Sequence, residues 1–244
     1  MNLNLLTRIC GLATLFYCSA VLAQTTALDE FIASDDGAFA YVEYGESSGF
    51  GWRSHFLKLT SQRWRGDADV DCVRRLEGSW LDACDLWQHE LVIHAPTSIG
   101  SGPGASTEAT AVLMVSGGDN RGALSTSGDE FIGPFSYLAN AVVVELRQVP
   151  NQPYFFDAEP GRARSEDEII GYSIDRFFDA RDPSWPALGP MTKAAVKAMD
   201  AVQGFIASEY GFEIADFVVA GGSKRGWTTW LTAAVDKALE SVFG

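Results

Sequence analysis

The sequence predicts an α/β fold: a mostly parallel sheet with helices on both faces, preceded by antiparallel strands. Two nearly unbroken apolar runs, 111–115 and 141–146, are typical of strands that are covered on both sides. Between Met191 and Ile206, apolar residues recur at three- and four-residue spacing, which predicts a long helix. A third apolar run at 217–220 follows it. Strands that alternate with helices in this way favour a layered α/β sheet.

The elements before and after this core have simpler signals. Polar and apolar residues alternate at 40–44, 55–60 and 90–94, which predicts short antiparallel strands. The Gly/Ser/Pro-rich stretch 98–107 is typical of a loop. After the last apolar run, residues 227–236 are expected to form a helix. The whole of 24–244 is therefore interpreted as one domain.

The composition excludes several classes of protein. The 244 residues include 18 Lys and Arg against 32 Asp and Glu, a formal net charge of −14. A chain this acidic lacks the basic face with which proteins displace counterions from nucleic acids. Aromatic residues make up 12% of the chain, and seven of them are Trp, which excludes a disordered protein.

The first 23 residues have the pattern of a signal peptide. A short segment with one positive charge is followed by an apolar stretch, and Val21 and Ala23 occupy the positions that signal peptidase requires before Gln24. A membrane anchor is the alternative, although the apolar stretch is short for a bilayer. The pattern predicts a secreted or periplasmic protein with no stable membrane span after cleavage.

Export decides how the cysteines are interpreted. Removal of the leader leaves Cys72 and Cys84, and an oxidising compartment favours a disulfide between them. A catalytic thiol is the weaker alternative. No Cys or His stands at metal-ligand spacing: after His89-Glu90 the next histidine, His94, comes one residue too late for a zinc-protease motif. We therefore expect no metal and no cofactor.

The turn after the last apolar run carries the chemistry. A Ser on a sharp strand-to-helix turn projects its hydroxyl above the sheet, where the following helix offers free N–H groups. Here Gly221 precedes Ser223 by two residues and Gly226 follows it by three, which gives the pattern G-x-S-x-x-G. We interpret Ser223 as a nucleophile. The alternative is a structural glycine turn with an incidental Ser.

Two neighbouring features bear on this interpretation. Gly117 and Gly118 end the strand at 111–115, where hydrolases place their second oxyanion donor; an ordinary strand-end turn is the alternative. Lys224 and Arg225 are cations at a helix start, where cations are normally disfavoured. They indicate either attraction for an anionic substrate or oxyanion, or a salt bridge to a nearby acid.

The histidines do not complete the site. All three, His55, His89 and His94, precede Ser223, whereas this arrangement takes its acid and its His after the nucleophile. We expect them to be surface or loosely packed residues.

Five blocks of the sequence stand out: 61–64 (SQRW), 146–153 (LRQVPNQP), 164–167 (RSED), 190–193 (PMTK) and 220–230 (AGGSKRGWTTW). Together they resemble one known family, the PhoPQ-activated pathogenicity-related (autocrine proliferation repressor-like) proteins. The resemblance implies an α/β-hydrolase-type fold with Ser223 at the nucleophile position, and it implies no substrate. The turn is also similar to the G-C-S-R-x-G turn of glucuronoyl esterases, where the basic residue assists the oxyanion. That similarity maps onto Lys224, with Gly222 in place of Cys.

Two function classes follow. In the first, the protein is an exported serine hydrolase acting on a small-molecule or polymeric ester. In the second, it is an exported signalling or surface-interaction protein on a hydrolase scaffold, since a fold alone does not imply activity. Because the acid and His of this fold follow the nucleophile, we expect them beyond residue 244 and expect these 244 residues alone to be an inactive, C-terminally incomplete fragment.

Overall fold

The computed structural model of the protein describes residues 25–100, 108–128, 130–236 and 239–243. The predicted leader at 1–23 and most of the predicted loop at 98–107 lie outside these residues. Within them, no helix is both long enough and apolar enough to cross a bilayer.

The described strands form one sheet in the order β1-β2-β3-β5-β4-β6-β7. Their bounds are β1 Ala40–Gly49, β2 Trp52–Arg63, β3 Leu86–Pro96, β4 Glu108–Val115, β5 Val143–Leu146, β6 Glu213–Gly221 and β7 Leu239–Phe243. The pairs β1–β2, β2–β3 and β3–β5 are antiparallel, whereas β5, β4, β6 and β7 run parallel to one another. The predicted change from antiparallel to parallel strands is confirmed.

Six helices lie within the described residues. They are α1 Ala27–Ala33, α2 Cys72–Leu76, α3 Ile132–Ala139, α4 Asp167–Ala180, α5 Leu188–Tyr210 and α6 Lys224–Val235. The predicted long helix is α5, and it ends at Gly211, whose positive φ of 62° is the left-handed conformation that favours glycine. The predicted start of the last helix was three residues late: α6 begins at Lys224, directly after the Ser223 turn.

The core lies between the sheet and α5. Alternate residues of the central strands and the apolar face of α5 are fully buried, as in Leu113, Val144, Ala198 and Val202. An aromatic cluster extends this core, with the ring of Phe156 stacked on that of Tyr172 at 4.1 Å between centroids. This packing holds the carboxyl ends of β4 and β6 in fixed positions, and the candidate site is built there.

The predicted disulfide is present. Cys72 at the start of α2 is bonded to Cys84, with their Cα atoms 5.1 Å apart. The bond closes a short loop just before β3, and a loop of this length contributes about 2–3 kcal/mol by constraining the unfolded chain.

Candidate active site

Ser223 occupies a sharp turn between β6 and α6. Its backbone angles are φ 58° and ψ −126°, a conformation that L residues rarely adopt. The residue is exposed, and its side chain makes no capping hydrogen bond to α6. Strained, exposed residues of this kind are concentrated at functional sites, because the surrounding fold must hold them in place.

Glycine is required at one position of this turn. A Cβ atom on Gly221 would lie 2.8 Å from the backbone oxygen of Arg225, in the first turn of α6. A Cβ atom on Gly222 would meet nothing within 4 Å. The turn therefore depends on Gly221, which lets the helix approach the end of the strand.

The sheet brings the second predicted oxyanion segment to the same edge. β4 and β6 are parallel neighbours, and Val115 is paired with Gly221, so the residues that follow both strands are adjacent. The carbonyl oxygen of Gly117 accepts a hydrogen bond from the backbone N–H of Gln148, and that of Gly118 accepts one from the Gln152 side chain. With both carbonyl oxygens held in this way, the orientation of the Gly117–Gly118 backbone is fixed.

Both cations after Ser223 are paired with one acid, Glu166, which sequence reasoning did not single out. The Arg225 guanidinium donates two hydrogen bonds to the Glu166 carboxylate, at 2.7 and 2.6 Å. The Lys224 ammonium lies 2.7 Å from Glu166 and 3.3 Å from Asp167. Of the two interpretations of these cations, the structure shows the salt bridge to a nearby acid.

Glu166 is itself held tightly. Its backbone N–H donates to the Gln152 side-chain oxygen, and the Gln152 amide donates to its carboxylate, both at 2.7 Å. Burial alone would raise the pKa of Glu166, but hydrogen bonds from Arg225, Lys224 and Gln152 outweigh burial and lower the pKa to about 2. The carboxylate therefore remains charged throughout the neutral and mildly acidic range.

The expectation that the histidines are surface or loosely packed was wrong. His55, His89 and His94 are 1%, 0% and 1% exposed. They lie on the central strands β2 and β3, which are covered by α3 on one face and α5 on the other. Among the described residues, their hydrogen bonds go to other partners and none reaches Ser223.

One of these histidines belongs to a Ser–His–Glu chain that the sequence analysis missed. The Ser54 hydroxyl lies 2.8 Å from Nδ1 of His94, and Nε2 of His94 lies 2.9 Å from Glu145. Ser54 and His94 line a small cavity of about 170 Å³. Ser54 is opposite His94 in the β2–β3 register, so a paired-strand alignment could have found the contact.

Comparison with known proteins identifies the family. A family model described as PhoPQ-activated pathogenicity-related protein matches residues 28–243. The chain belongs to this family. It is also 33% identical over 225 residues to autocrine proliferation repressor protein A of Dictyostelium discoideum, a match that covers 89% of this chain and 40% of that relative. The chain thus spans less than half the length of the curated relative that it matches.

Two solved structures share the fold at low sequence identity. A crystal structure of a putative acetyl xylan esterase from Bacteroides fragilis matches with a TM-score of 0.50 at 12% identity, covering 88% of this chain and 50% of that one. A glucuronoyl esterase from Solibacter usitatus matches with the same score and identity, covering 89% of this chain and 57% of that one. The fold is therefore of the α/β-hydrolase type, as the resemblance implied.

Proposed function

We propose that this family member is an exported serine hydrolase that cleaves an ester or another acyl bond, with Ser223 as its nucleophile. The observation that carries the proposal is the Ser223 turn: an exposed Ser in a strained backbone conformation, between a central parallel strand and a helix. A hydroxyl held in this way is open to attack a carbonyl carbon from above the sheet.

The neighbouring backbone supplies the means to stabilise the resulting oxyanion. The N–H of Lys224 begins α6, where the helix dipole favours negative charge. A second N–H would come from the Gly117–Gly118 segment. The carbonyl oxygens of this segment accept hydrogen bonds from Gln148 and Gln152, which fix its orientation. Such prearranged donors contribute about 3–4 kcal/mol each to lowering the barrier.

The proposed activity is that of the whole protein, because the curated relative is much longer than this chain. A general base is needed to deprotonate Ser223, and the three histidines described above are bonded elsewhere. We place the base and its acid partner in sequence after residue 244. Export is supported by the leader-like residues 1–23 and by the disulfide, and the substrate is an ester of unspecified chemistry.

A second candidate function rests on the relative. The Dictyostelium protein is described as an autocrine proliferation repressor, which is a signalling role. A secreted signalling protein on a hydrolase scaffold would retain the fold and leave Ser223 idle.

Active-site labelling separates the two candidates. The whole protein encoded by the gene is treated with a fluorophosphonate probe, and the labelled peptide is mapped by mass spectrometry. We expect label on Ser223, complete loss of label in Ser223→Ala, and retained label in Ser54→Ala, because the Ser54 hydroxyl is buried. Label on Ser54, or label that survives Ser223→Ala, would move the nucleophile elsewhere. An unlabelled, folded wild-type protein would favour the signalling role.

A further inference from the structure

We infer that Glu166 is the positioning residue of this site: through Arg225 and Gln152 it holds the Ser223 turn in register with the Gly117–Gly118 segment. This inference rests on the proposed function. Among the described residues, Glu166 has no hydrogen bond to Ser223, and it acts through the side chains that it binds.

The contacts of Glu166 reach both parts of the site. Its carboxylate takes two hydrogen bonds from Arg225 and one from Lys224, the two residues that follow Ser223. On its other side it is clamped by Gln152, whose amide nitrogen also donates to the carbonyl oxygen of Gly118 at 2.8 Å. One carboxylate therefore links the start of α6 to the proposed oxyanion segment through a single intervening side chain.

Arg225 makes a second link between the same two parts. Its Nε donates to the carbonyl oxygen of Val149, in the segment whose Gln148 N–H binds Gly117. A Cβ atom on Gly117 would lie only 2.5 Å from the Arg225 guanidinium, so the guanidinium packs directly over that glycine. The planar fork of Arg fits this place because it presents several donors in fixed directions, which Lys does not.

The backbone at Glu166 supports a role beyond that of an ordinary ion pair. Its angles, φ 55° and ψ −129°, are nearly those of Ser223, φ 58° and ψ −126°. Both residues immediately precede a helix. The residues that follow them, Asp167 and Lys224, form an ion pair with each other. A surface ion pair does not require a rare backbone conformation, and residues held in such conformations are concentrated at functional sites.

The charges at this point indicate positioning over substrate attraction. Lys224 and Arg225 carry two positive charges, and Glu166 and Asp167 carry two negative charges within ion-pair distance of them. The cluster is neutral as a whole, and the side chains of Lys224 and Arg225 are only 10% and 13% exposed. Because these cations are paired with carboxylates that fix the turn, the cluster exerts little net electrostatic attraction on an anionic substrate.

The test compares Glu166→Gln with Glu159→Gln in the whole protein. Glu159 also takes two hydrogen bonds from one arginine, Arg164, and within the described part of the chain no hydrogen bond joins either residue to the Ser223 turn. Fluorophosphonate labelling is measured at increasing probe concentration, which separates the maximal labelling rate from probe binding. We expect Glu166→Gln to lower the maximal rate about 10- to 100-fold with unchanged probe binding, as a small misplacement of a reacting group does. Glu159→Gln should leave both unchanged.

A second readout does not depend on activity. Backbone hydrogen exchange should rise in Glu166→Gln at 117–119 and at 223–226 together, and in Glu159→Gln at neither segment. Arg225→Lys, which retains the charge and loses the fork, should give the same pattern as Glu166→Gln. A double variant should then label no more slowly than the slower single variant, because both changes break one link.

The outcomes are distinct. Equal labelling rates in Glu166→Gln and Glu159→Gln, or unchanged exchange at 117–119 in Glu166→Gln, would overturn the positioning role. Failure of the proposed function would look different: the wild-type protein would take no label at Ser223, while exchange would still show the two segments coupled through Glu166.

Discussion

Two serines of this protein lie in opposite environments. Ser223 is exposed, stands on a strained turn and immediately precedes a helix. Ser54 is 3% exposed, lies near the start of β2, and completes a hydrogen-bonded chain with His94 and Glu145. By side-chain pattern alone, Ser54 resembles a catalytic serine more closely than Ser223 does. By backbone conformation and exposure to solvent, Ser223 resembles a catalytic serine more closely than Ser54 does.

This contrast shows that a Ser–His–acid pattern of side chains does not by itself identify a nucleophile. Polar side chains that are buried on adjacent strands must bond to one another, because an unsatisfied buried donor or acceptor costs free energy. Such a chain therefore satisfies buried polar groups and does not by itself indicate catalysis. A nucleophile also needs an open approach and free N–H groups for the oxyanion, and a sharp strand-to-helix turn is suited to provide both.

Removal of the Glu145 carboxylate should have the largest effect of the changes considered, and it should affect the stability of the fold without affecting the labelling of Ser223. Glu145 is 5% exposed and binds both His94 and Arg147. We expect Glu145→Ala to lower the free energy of unfolding by about 3–5 kcal/mol, since it leaves buried polar partners unpaired. Urea unfolding measures this loss. Asp179→Ala, which breaks an exposed ion pair with Arg176, should cost at most about 1 kcal/mol. A loss of Ser223 labelling among folded Glu145→Ala molecules would contradict the separation of the two regions.

The strand region should also respond to acid. Burial lowers the pKa of His89 from 6.5 to about 4, although hydrogen bonds to the backbone oppose this effect. The folded state holds the neutral form, so between pH 6.5 and 4 the unfolded chain binds more protons and stability falls as the pH falls. This shift corresponds to about 3 kcal/mol lost over that range.

Thermal unfolding at a series of pH values tests this expectation. In His89→Asn, which can still donate to the carbonyl oxygen of Arg147, the fall between pH 6.5 and 4 should be much smaller. Glu166 contributes mainly below this range, because the stability gained from its lowered pKa is lost as the pH falls from its ordinary value of 4.5 to about 2. Parallel pH curves for wild type and variant would show that His89 is not the group responsible.

At the Ser223 turn, a substitution at Gly221 should slow the labelling of Ser223. The expected change in the activation free energy is smaller than the stability losses predicted above. In Gly221→Ala the new Cβ atom would collide with the Arg225 backbone, so the turn must shift. We expect labelling of Ser223 to slow about 100-fold, which is roughly 2.7 kcal/mol of barrier. Gly222→Ala has open space around it and should label at the wild-type rate. Equal rates for the two variants would show that the turn tolerates movement.

The sequence predicts most of the sheet because its signals are local. Runs such as 111–115 and 217–220 indicate buried strands by themselves, and the spacing along α5 indicates a helix. α3 was not predicted, since Gly133 and Pro134 stand in its first turn and obscure the pattern. Nor does the alternation on β2 and β3 reveal that helices cover both faces, which is why the histidines were expected at the surface.

The candidate site also contains residues that local sequence signals predict and one residue that they do not. Ser223 and the Gly117–Gly118 segment could be placed from sequence, because each follows directly on a recognisable strand. Glu166 could not, since 58 residues separate it from Lys224 and only folding brings them together. The signal that pointed towards it was the presence of two cations at a helix start, which requires a nearby acid.

The backbone strain at Ser223 has a consequence for protein engineering. Glycine adopts a φ of 58° without the penalty that a side chain incurs, which is about 1–3 kcal/mol for a residue held in a rare conformation. Because the Ser223 side chain makes no capping hydrogen bond, little would be lost in exchange. A laboratory selection for heat resistance alone would therefore enrich Ser223→Gly, the substitution that removes the proposed nucleophile. Thermal tolerance and the proposed catalysis would compete at this position, and consensus or stability-based redesign should leave it fixed.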